Sequence, residues 1–353
     1  MPRLAAVDLR SFAEQLFEAL QVPPEEAAWV AELLVRADLA GQDFNGVLRI
    51  PQYAQAIQAA LVQPAARGEI VEESASTALI NGQWGLGQVV ARHAMTLAMR
   101  QAQEMKISSV GAYNLYHVGR LADYTRMAAE QDLVAIMTVN SGGTAPLVVP
   151  FGGTAGRLGT NPLSMAFPVD GGVPLILDMA TSIVSAGQVH LRRQRGEQLP
   201  EGWLLDHQGQ PTTDPQALYA EPGGAILPLG GSAGHKGFGL AMVVEMLSGI
   251  LTRAGYAGQG ADRLTNGTFI IVIDISAFVE PSQFHAEIAD LLTYVKSAPR
   301  APGVDSLMYP GEPEAREQQR RERDGIPLDE ATWQQIAALA RELGVPLPTP
   351  HGG

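Results

Sequence analysis

Of the seven histidines in this 353-residue chain, two stand where a side chain can meet a ligand. His117 sits in Asn114-Leu-Tyr-His-Val-Gly119, after a run that reads as a strand and just before a helix, where folds present loop-borne catalytic or binding residues. A neutral imidazole there can pass a proton near pH 7. A purely structural histidine fits the same position equally well. His235 stands beside Lys236 in Gly230-Gly-Ser-Ala-Gly-His-Lys-Gly237, a glycine-rich turn at the amino end of an apolar helix. Free backbone N–H groups at such a turn attract an anion, although a plain helix-start turn looks the same. The turn is no Walker loop, which needs glycine where His235 stands and Ser or Thr where Gly237 stands. Lys106, Lys236 and Lys296 are the three lysines among 24 basic residues, so finding one in this turn favours a phosphate or carboxylate ligand.

The other histidines carry less. His93 lies within a helical run, and His207, His285 and His351 lie in polar or terminal surroundings that suit the surface. His190 opens His-Leu-Arg-Arg-Gln-Arg195, a basic cluster that can touch a phosphate or simply face water. No HExxH or comparable ligand spacing occurs, so no catalytic metal is expected. Gly85-Leu-Gly87-Gln-Val-Val90 imitates a dinucleotide fingerprint but lacks its third glycine and the acidic ribose ligand about 20 residues on. Three turns, Asn140-Ser-Gly-Gly143, Gly159-Thr-Asn-Pro162 and Asp178-Met-Ala-Thr-Ser182, offer backbone donors and short polar side chains suited to orienting a polar ligand.

Composition narrows the chemistry further. With no cysteine, thiolate catalysis, disulfides and Cys-ligated metals are excluded. A net charge of −13 argues against nucleic acid as a general partner. Arg3, Asp8, Arg10 and Glu14 precede any apolar stretch, unlike a signal or transit peptide, and no apolar run reaches the ~18 residues of a membrane span. A cytoplasmic protein with neither membrane nor nucleic-acid partner is expected.

These residues need elements to hold them. Apolar residues at helical spacing predict helices over Leu9 to Leu20, from Pro23-Pro24 towards Gly41, and around Tyr53, Ile57 and Leu61. Short apolar runs at 78–80, 107–110, 134–139, 163–167, 175–177 and 269–275 read as strands, alternating with helical stretches at 89–105, 121–131 and 239–254. A helical end follows, with Asp329 as cap, Trp333, Ile336, Ala337, Ala340 and Leu343 as apolar face, and Gly344 at the stop. The charge-dense segment 312–323 before it reads as a solvated helix face. The middle of the chain is therefore α/β or α+β.

Taken in order, several stretches resemble the type-2 malate/L-lactate dehydrogenase family. They are Ala37-Asp-Leu-Ala-Gly41 with Gly46-Val-Leu-Arg49, Tyr116-His-Val-Gly119, Arg157-Leu-Gly-Thr-Asn-Pro-Leu163, Leu177-Asp-Met-Ala-Thr181, Gly234-His-Lys-Gly-Phe-Gly-Leu240, Glu245-Met-Leu-Ser-Gly249 and Tyr309-Pro-Gly-Glu-Pro313. The family comprises NAD(P)-dependent oxidoreductases, including ureidoglycolate and sulfolactate dehydrogenases, diketogulonate reductase and piperideine/pyrroline-2-carboxylate reductase. The resemblance implies a mixed α+β, non-Rossmann fold: a helical substrate-side domain from residues 1–70 with 310–353, and a central cofactor-binding domain from 71–309. It implies a homodimer with the cofactor near the subunit interface. Arg49 is then the grip on a substrate carboxylate, with Phe44 and Thr160 also on the substrate side. His117, Val118, Gly119, Arg120, Leu121, Ser141, Asp178, Met179, Ala180, His235, Lys236, Gly311 and Glu312 are the implied cofactor contacts.

One motif departs from the family. Gly41-Gln-Asp-Phe-Asn-Gly46 stands where relatives read Gly-His-Asp-Ser-His-Gly, so Phe44-Asn45 replaces the Ser-His pair that delivers the proton in several branches. Asn45 can hydrogen-bond a carbonyl or imine but cannot titrate near neutral pH. The resemblance leaves His117 as acid/base, with Asn45 polarising the reacting group and Phe44 making the pocket drier. The expected reaction is hydride transfer between NAD or NADP and a small 2-oxo or 2-hydroxy acid. An imine reductase, whose protonated substrate needs less of an enzymatic acid, is the alternative, and a dinucleotide-binding protein without catalysis is a third. His190, Arg192, Arg193 and Arg195 favour NADPH if they pair with a 2′-phosphate, and say nothing if they face water.

Overall fold

Apolar spacing at both chain ends produces one helical layer. The structure, a computed structural model, describes residues 2–142, 146–259 and 263–349; Gly143 and His351 lie outside the described residues. The chain begins with β1 (Arg3–Leu4), α1 (Ala6–Ala19) and α2 (Pro24–Leu39), two 3-10 turns (Asp43–Asn45 and Val47–Arg49) and α3 (Ile50–Gln58). β2 (Glu69–Glu73), β3 (Thr77–Gly85), α4 (Gly87–Met105), β4 (Ile107–Leu115), α5 (Ala122–Ala129), β5 (Leu133–Gly142), β6 (Leu163–Phe167) and β7 (Leu175–Met179) follow. Next come α6 (Ala186–Gln194), the two-residue strands β8 (Leu204–Leu205), β9 (Pro211–Thr212) and β10 (Ala225–Ile226), and α7 (His235–Val244), which runs on as a π-helical turn, Glu245–Ile250. β11 (Thr265–Asp274), α8 (Pro281–Lys296), α9 (Glu312–Asp324), β12 (Ile326–Pro327) and α10 (Glu330–Leu343) complete the order. α6 and α8 carry no clear apolar period and were not among the expected helices.

Leu9, Phe12, Leu16 and Phe17 of α1 pack with Val30 and Leu34 of α2, Tyr53 of α3 and Ile336 and Ala340 of α10. β1 pairs antiparallel with β12, Leu4 opposite Ile326, which fastens the two chain ends together. α10 ends at Gly344 in the left-handed conformation, as its position predicts. Asp329 stands at the start of α10 but makes no side-chain cap; its carboxylate reaches instead to Arg195, at 2.8 Å. The 312–323 segment is a helix, α9, yet Arg321 is buried rather than solvated.

The middle of the chain is a seven-stranded mixed sheet in the order β2-β3-β4-β11-β5-β6-β7. Only β3 and β4 are parallel among these pairs, and α4 supplies the crossover that a parallel pair needs. α4 lays Ala91, Ala94, Ala98 and Ala102 against Val110, Ala112, Ile270 and Val272, and small side chains let helix and sheet approach closely. The π turn packs on the sheet at β5 and β11, where Gly267 would place a Cβ 1.9 Å from the Ser248 carbonyl. No helix among the described residues is long and apolar enough to cross a membrane, and no group of His, Asp and Glu among them forms a metal site.

Candidate active site

The loop after α2 is held by a buried carboxylate. Asp38 accepts the Val47 N–H at 3.0 Å, and Gly46 lies so close that a Cβ would stand 1.8 Å from Asp38 Oδ1. Burial raises the Asp38 carboxyl well above its usual range. Arg321 anchors the same loop, donating to the Asp38 carbonyl at 2.8 Å and pairing with Asp43 and Glu317.

This loop presents Phe44, Asn45 and Arg49 to a cleft of 290 Å³. Arg49 Nε donates to the Phe44 carbonyl at 2.7 Å and Nη1 to Gln52 Oε1 at 2.8 Å. Gly187, in α6, leaves room for the rest of the guanidinium: a Cβ there would sit 2.7 Å from Nη2. The side chain is half-buried, its pKa is lowered by burial, and no carboxylate among the described residues pairs with it.

His117 lines the same cleft. Its Nδ1 lies 2.7 Å from Tyr53 Oη, and Gln88 Nε2 donates to that phenol oxygen at 2.7 Å. Burial, with the Arg49 charge beside it, pushes the His117 imidazole down to about 3, so it is neutral at physiological pH and does not titrate near 7 as its position suggested. Burial raises the Tyr53 phenol. The Gly85-x-Gly87 motif serves this loop rather than a nucleotide: a Cβ on Gly87 would stand 2.3 Å from the Tyr116 carbonyl and 2.4 Å from that of His117.

Gly119, Arg120, Leu121, Ser141, Thr160, Asp178, Met179 and Ala180 complete the cleft from the ends of β4, β5 and β7 and the turn before β6. Asp178 accepts the Ala122 N–H at 2.8 Å at the start of α5, and burial raises its carboxyl to about 6. Val118 is buried behind the wall, its N–H donated to Asn266 at 3.0 Å.

Four of the expected contacts stand apart from this cleft. His235 and Lys236 are exposed at the start of α7, where His235 meets Phe151 edge-on at 5.7 Å. Gly311 packs on Pro174, and Glu312 pairs with Lys296. The basic cluster on α6 is largely engaged: Arg192 lies over Trp203 at 5.3 Å, Arg193 over Tyr219 at 4.0 Å, and Arg195 pairs with Asp329. His285, expected at the surface, is half-buried against Asp132 at 3.0 Å. His93, on α4, lies 3.2 Å from the Arg67 carbonyl of the loop before β2.

Sequence reasoning did not foresee Gln52, Tyr53 and Gln88 behind Arg49 and His117, nor Ser185, Ala186 and Gly187 at the cleft wall. Tyr53 read as part of an apolar helix face, and only its hydroxyl hinted at a polar partner. Nothing local distinguished Gln88.

A sequence profile described as malate/L-lactate dehydrogenase matches residues 4–337. The chain is 36% identical over 345 residues to the malate dehydrogenase of Pyrococcus horikoshii, covering 96% of this chain and 94% of that one. It is 36% identical over 329 residues to the L-sulfolactate dehydrogenase of Methanocaldococcus jannaschii, covering 92% of each. Among solved structures, the delta1-piperideine-2-carboxylate reductase of Pseudomonas syringae pvar. tomato superposes with a TM-score of 0.82 at 27% identity, over 96% of this chain and 100% of that one.

Proposed function

The chain belongs to the malate/L-lactate dehydrogenase family, and from that premise we propose that it is an NAD(P)-dependent oxidoreductase acting on a small 2-oxo/2-hydroxy acid. One observation carries the substrate class: Arg49, half-buried and without a carboxylate partner among the described residues, opens into the cleft that holds His117. A desolvated guanidinium is most stable with a bidentate carboxylate, which a 2-hydroxy acid brings.

The donor set suits a nicotinamide. The Ser141 and Thr160 hydroxyls, the Asp178 carboxyl and the peptide groups of residues 119–121 and 179–180 line the cleft and match a carboxamide ring, while 290 Å³ leaves the rest of a dinucleotide to run outside. When bound in reduced form, the cofactor supplies the hydride. Arg49 fixes the substrate by its carboxylate, and Asn45 polarises the oxygen at C2. His117 handles the proton, its ring held by Tyr53 and, behind it, Gln88. A carboxylate seated on Arg49 offsets one of the two causes that depress His117, so the imidazole becomes more basic once substrate is present.

Titration of nicotinamide fluorescence with NADH and NADPH, followed by turnover on a panel of 2-oxo acids, tests the reading. Absence of binding by either cofactor refutes it. The same competition decides between NAD and NADP, for which the engaged arginines of α6 give no preference.

A second reading, reduction of a cyclic imino acid, draws on Asn45 and on a His117 that is neutral in the free protein. A protonated imine carries its own proton. Turnover of an imino acid by His117→Ala supports it, and loss of that turnover speaks against it. The apolar row Leu240, Val243, Met246, Ile250 and Leu251, exposed along α7 and its π turn, supports a homodimer. The shared core of residues from both chain ends supports a helical unit from 1–70 with 310–353 beside a central unit from 71–309.

A further inference from the structure

Glu245 opens the π turn, and its carboxylate is buried. No ion pair reaches it among the described residues. Two asparagines hold it instead, one on each oxygen. Asn140 Nδ2 donates to Oε2 at 2.9 Å, and Asn161 Nδ2 donates to Oε1 at 3.0 Å. Both amides are fully buried. Each precedes or follows a residue of the cleft: Asn140 is next to Ser141 on β5, and Asn161 is next to Thr160 in the turn before β6.

The connection continues to the histidine loop. Asn140 Oδ1 accepts the Gly267 N–H at 3.0 Å, and the Asn140 carbonyl accepts Asn266 Nδ2 at 2.9 Å. Asn266 Oδ1 in turn accepts the N–H of Val118, the neighbour of His117, at 3.0 Å. Close backbone approach makes this possible: a Cβ on Gly249 would stand 2.7 Å from Asn140 Nδ2. Asn140 Nδ2 is also committed to the Gly255 carbonyl at 2.8 Å, and Asn161 Nδ2 to the Ala241 carbonyl at 3.1 Å, so neither amide can turn over without losing a second bond.

We propose that Glu245 is a positioning residue for the reaction, its carboxylate setting the spacing between Ser141, Thr160 and the His117 loop through Asn140 and Asn161. The proposal rests on the dehydrogenase reading for its catalytic consequence, and on geometry alone for its structural one. A carboxylate is the one side-chain group that accepts on both arms; an amide accepts on one and presents a donor to the other asparagine. Glu245→Gln therefore keeps the volume and breaks one arm of the clamp.

The test compares E245Q with S248A. Ser248 belongs to the same π turn, but its hydroxyl bonds Thr138, 2.7 Å away, and makes no hydrogen bond to either asparagine. Hydrogen exchange read by mass spectrometry should show peptides spanning 116–121 and 159–162 losing protection in E245Q and keeping it in S248A. In steady-state kinetics well below the melting temperature, E245Q should lower kcat by roughly 10- to 100-fold, as a misplacement near 1 Å does, while S248A stays within about twofold of wild type. Unchanged exchange at both peptides in E245Q overturns the proposal whether or not the protein turns over a 2-oxo acid. Changed exchange with an unchanged kcat in an active wild type overturns its catalytic part. A wild type that binds no nicotinamide refutes the dehydrogenase reading instead, and exchange alone then decides the clamp.

Discussion

Replacing Arg49 by methionine removes the guanidinium and keeps most of the side chain's length. Nε and Nη1 are each committed to a protein oxygen, at 2.7 and 2.8 Å, and Nη2 has no partner among the described residues. A substrate carboxylate can take Nη2 and the second hydrogen of Nη1. Two charge-assisted hydrogen bonds are worth about 1.5 to 3 kcal/mol each. Together they come to about 3 to 6 kcal/mol, a loss of roughly 10²- to 10⁴-fold in kcat/KM. The Kd for NADH or NADPH should stay within a few-fold, since the loss belongs to the acid and not to the cofactor. The assay is steady-state turnover of a 2-oxo acid and of its methyl ester by both proteins. With the ester the difference between R49M and wild type should collapse, because the charge Arg49 answers is gone. The variant has a second signature. Arg49 is one of two causes holding His117 at about 3, so the limb of free-enzyme kcat/KM on which 2-oxo acid reduction falls as His117 loses its proton should move to higher pH in R49M. A loss below tenfold, an equal loss with the ester, or an equal loss of cofactor binding each refutes the assignment.

Four further outcomes are expected. The folded value of about 3 for His117 lies below the unfolded 6.5, so the unfolded chain binds a proton that the folded chain excludes. Its contribution to stability is intact above 6.5 and is lost as pH falls toward 3, by at most about 5 kcal/mol, and H117N should flatten the urea midpoint against pH over that window. Asp178 runs the other way: its folded value of about 6 exceeds the unfolded 3.8, so stability is lost as pH rises between them, and D178N should be more stable than wild type at pH 7 in the same measurement. Gly46→Ala puts a Cβ 1.8 Å from Asp38 Oδ1 and should lower stability by about 2 kcal/mol or more, read as a lower melting temperature; an unchanged melt contradicts the packing described. Met246→Glu places a charge in the exposed apolar row of the π turn and should give a monomer by light scattering where wild type is a dimer, whereas a monomeric wild type at micromolar concentration rules the dimer out.

The helices at both chain ends were legible because each buries one face at helical spacing, and six strands of the central sheet because each is a short apolar run bounded by turn residues. Leu163–Phe167 is a strand with the bounds its apolar run predicts, and the first helix buries Leu9, Phe12, Leu16 and Phe17 at helical spacing. α8 was not legible because only Leu292 of its residues is buried, so no apolar stripe marks it. Of the cleft, His117 and the polar turns could be named from residue type and position, whereas Arg49 was named only through the resemblance to the family.

What the sequence by itself determined is therefore the inventory: the absence of cysteine, the single histidine loop, the Phe44-Asn45 replacement and the family to which these belong. Only the tertiary structure decided how they act. His117 is about 3 rather than near 7 because burial and Arg49, 68 positions earlier in the chain, act on it together. Its ring is held by Tyr53 and, behind it, Gln88, on two further helices. Asp43 and Asp38 are met by Arg321 from the other end of the chain. Desolvation and pairing between distant segments have no local period, so no window of sequence can carry them.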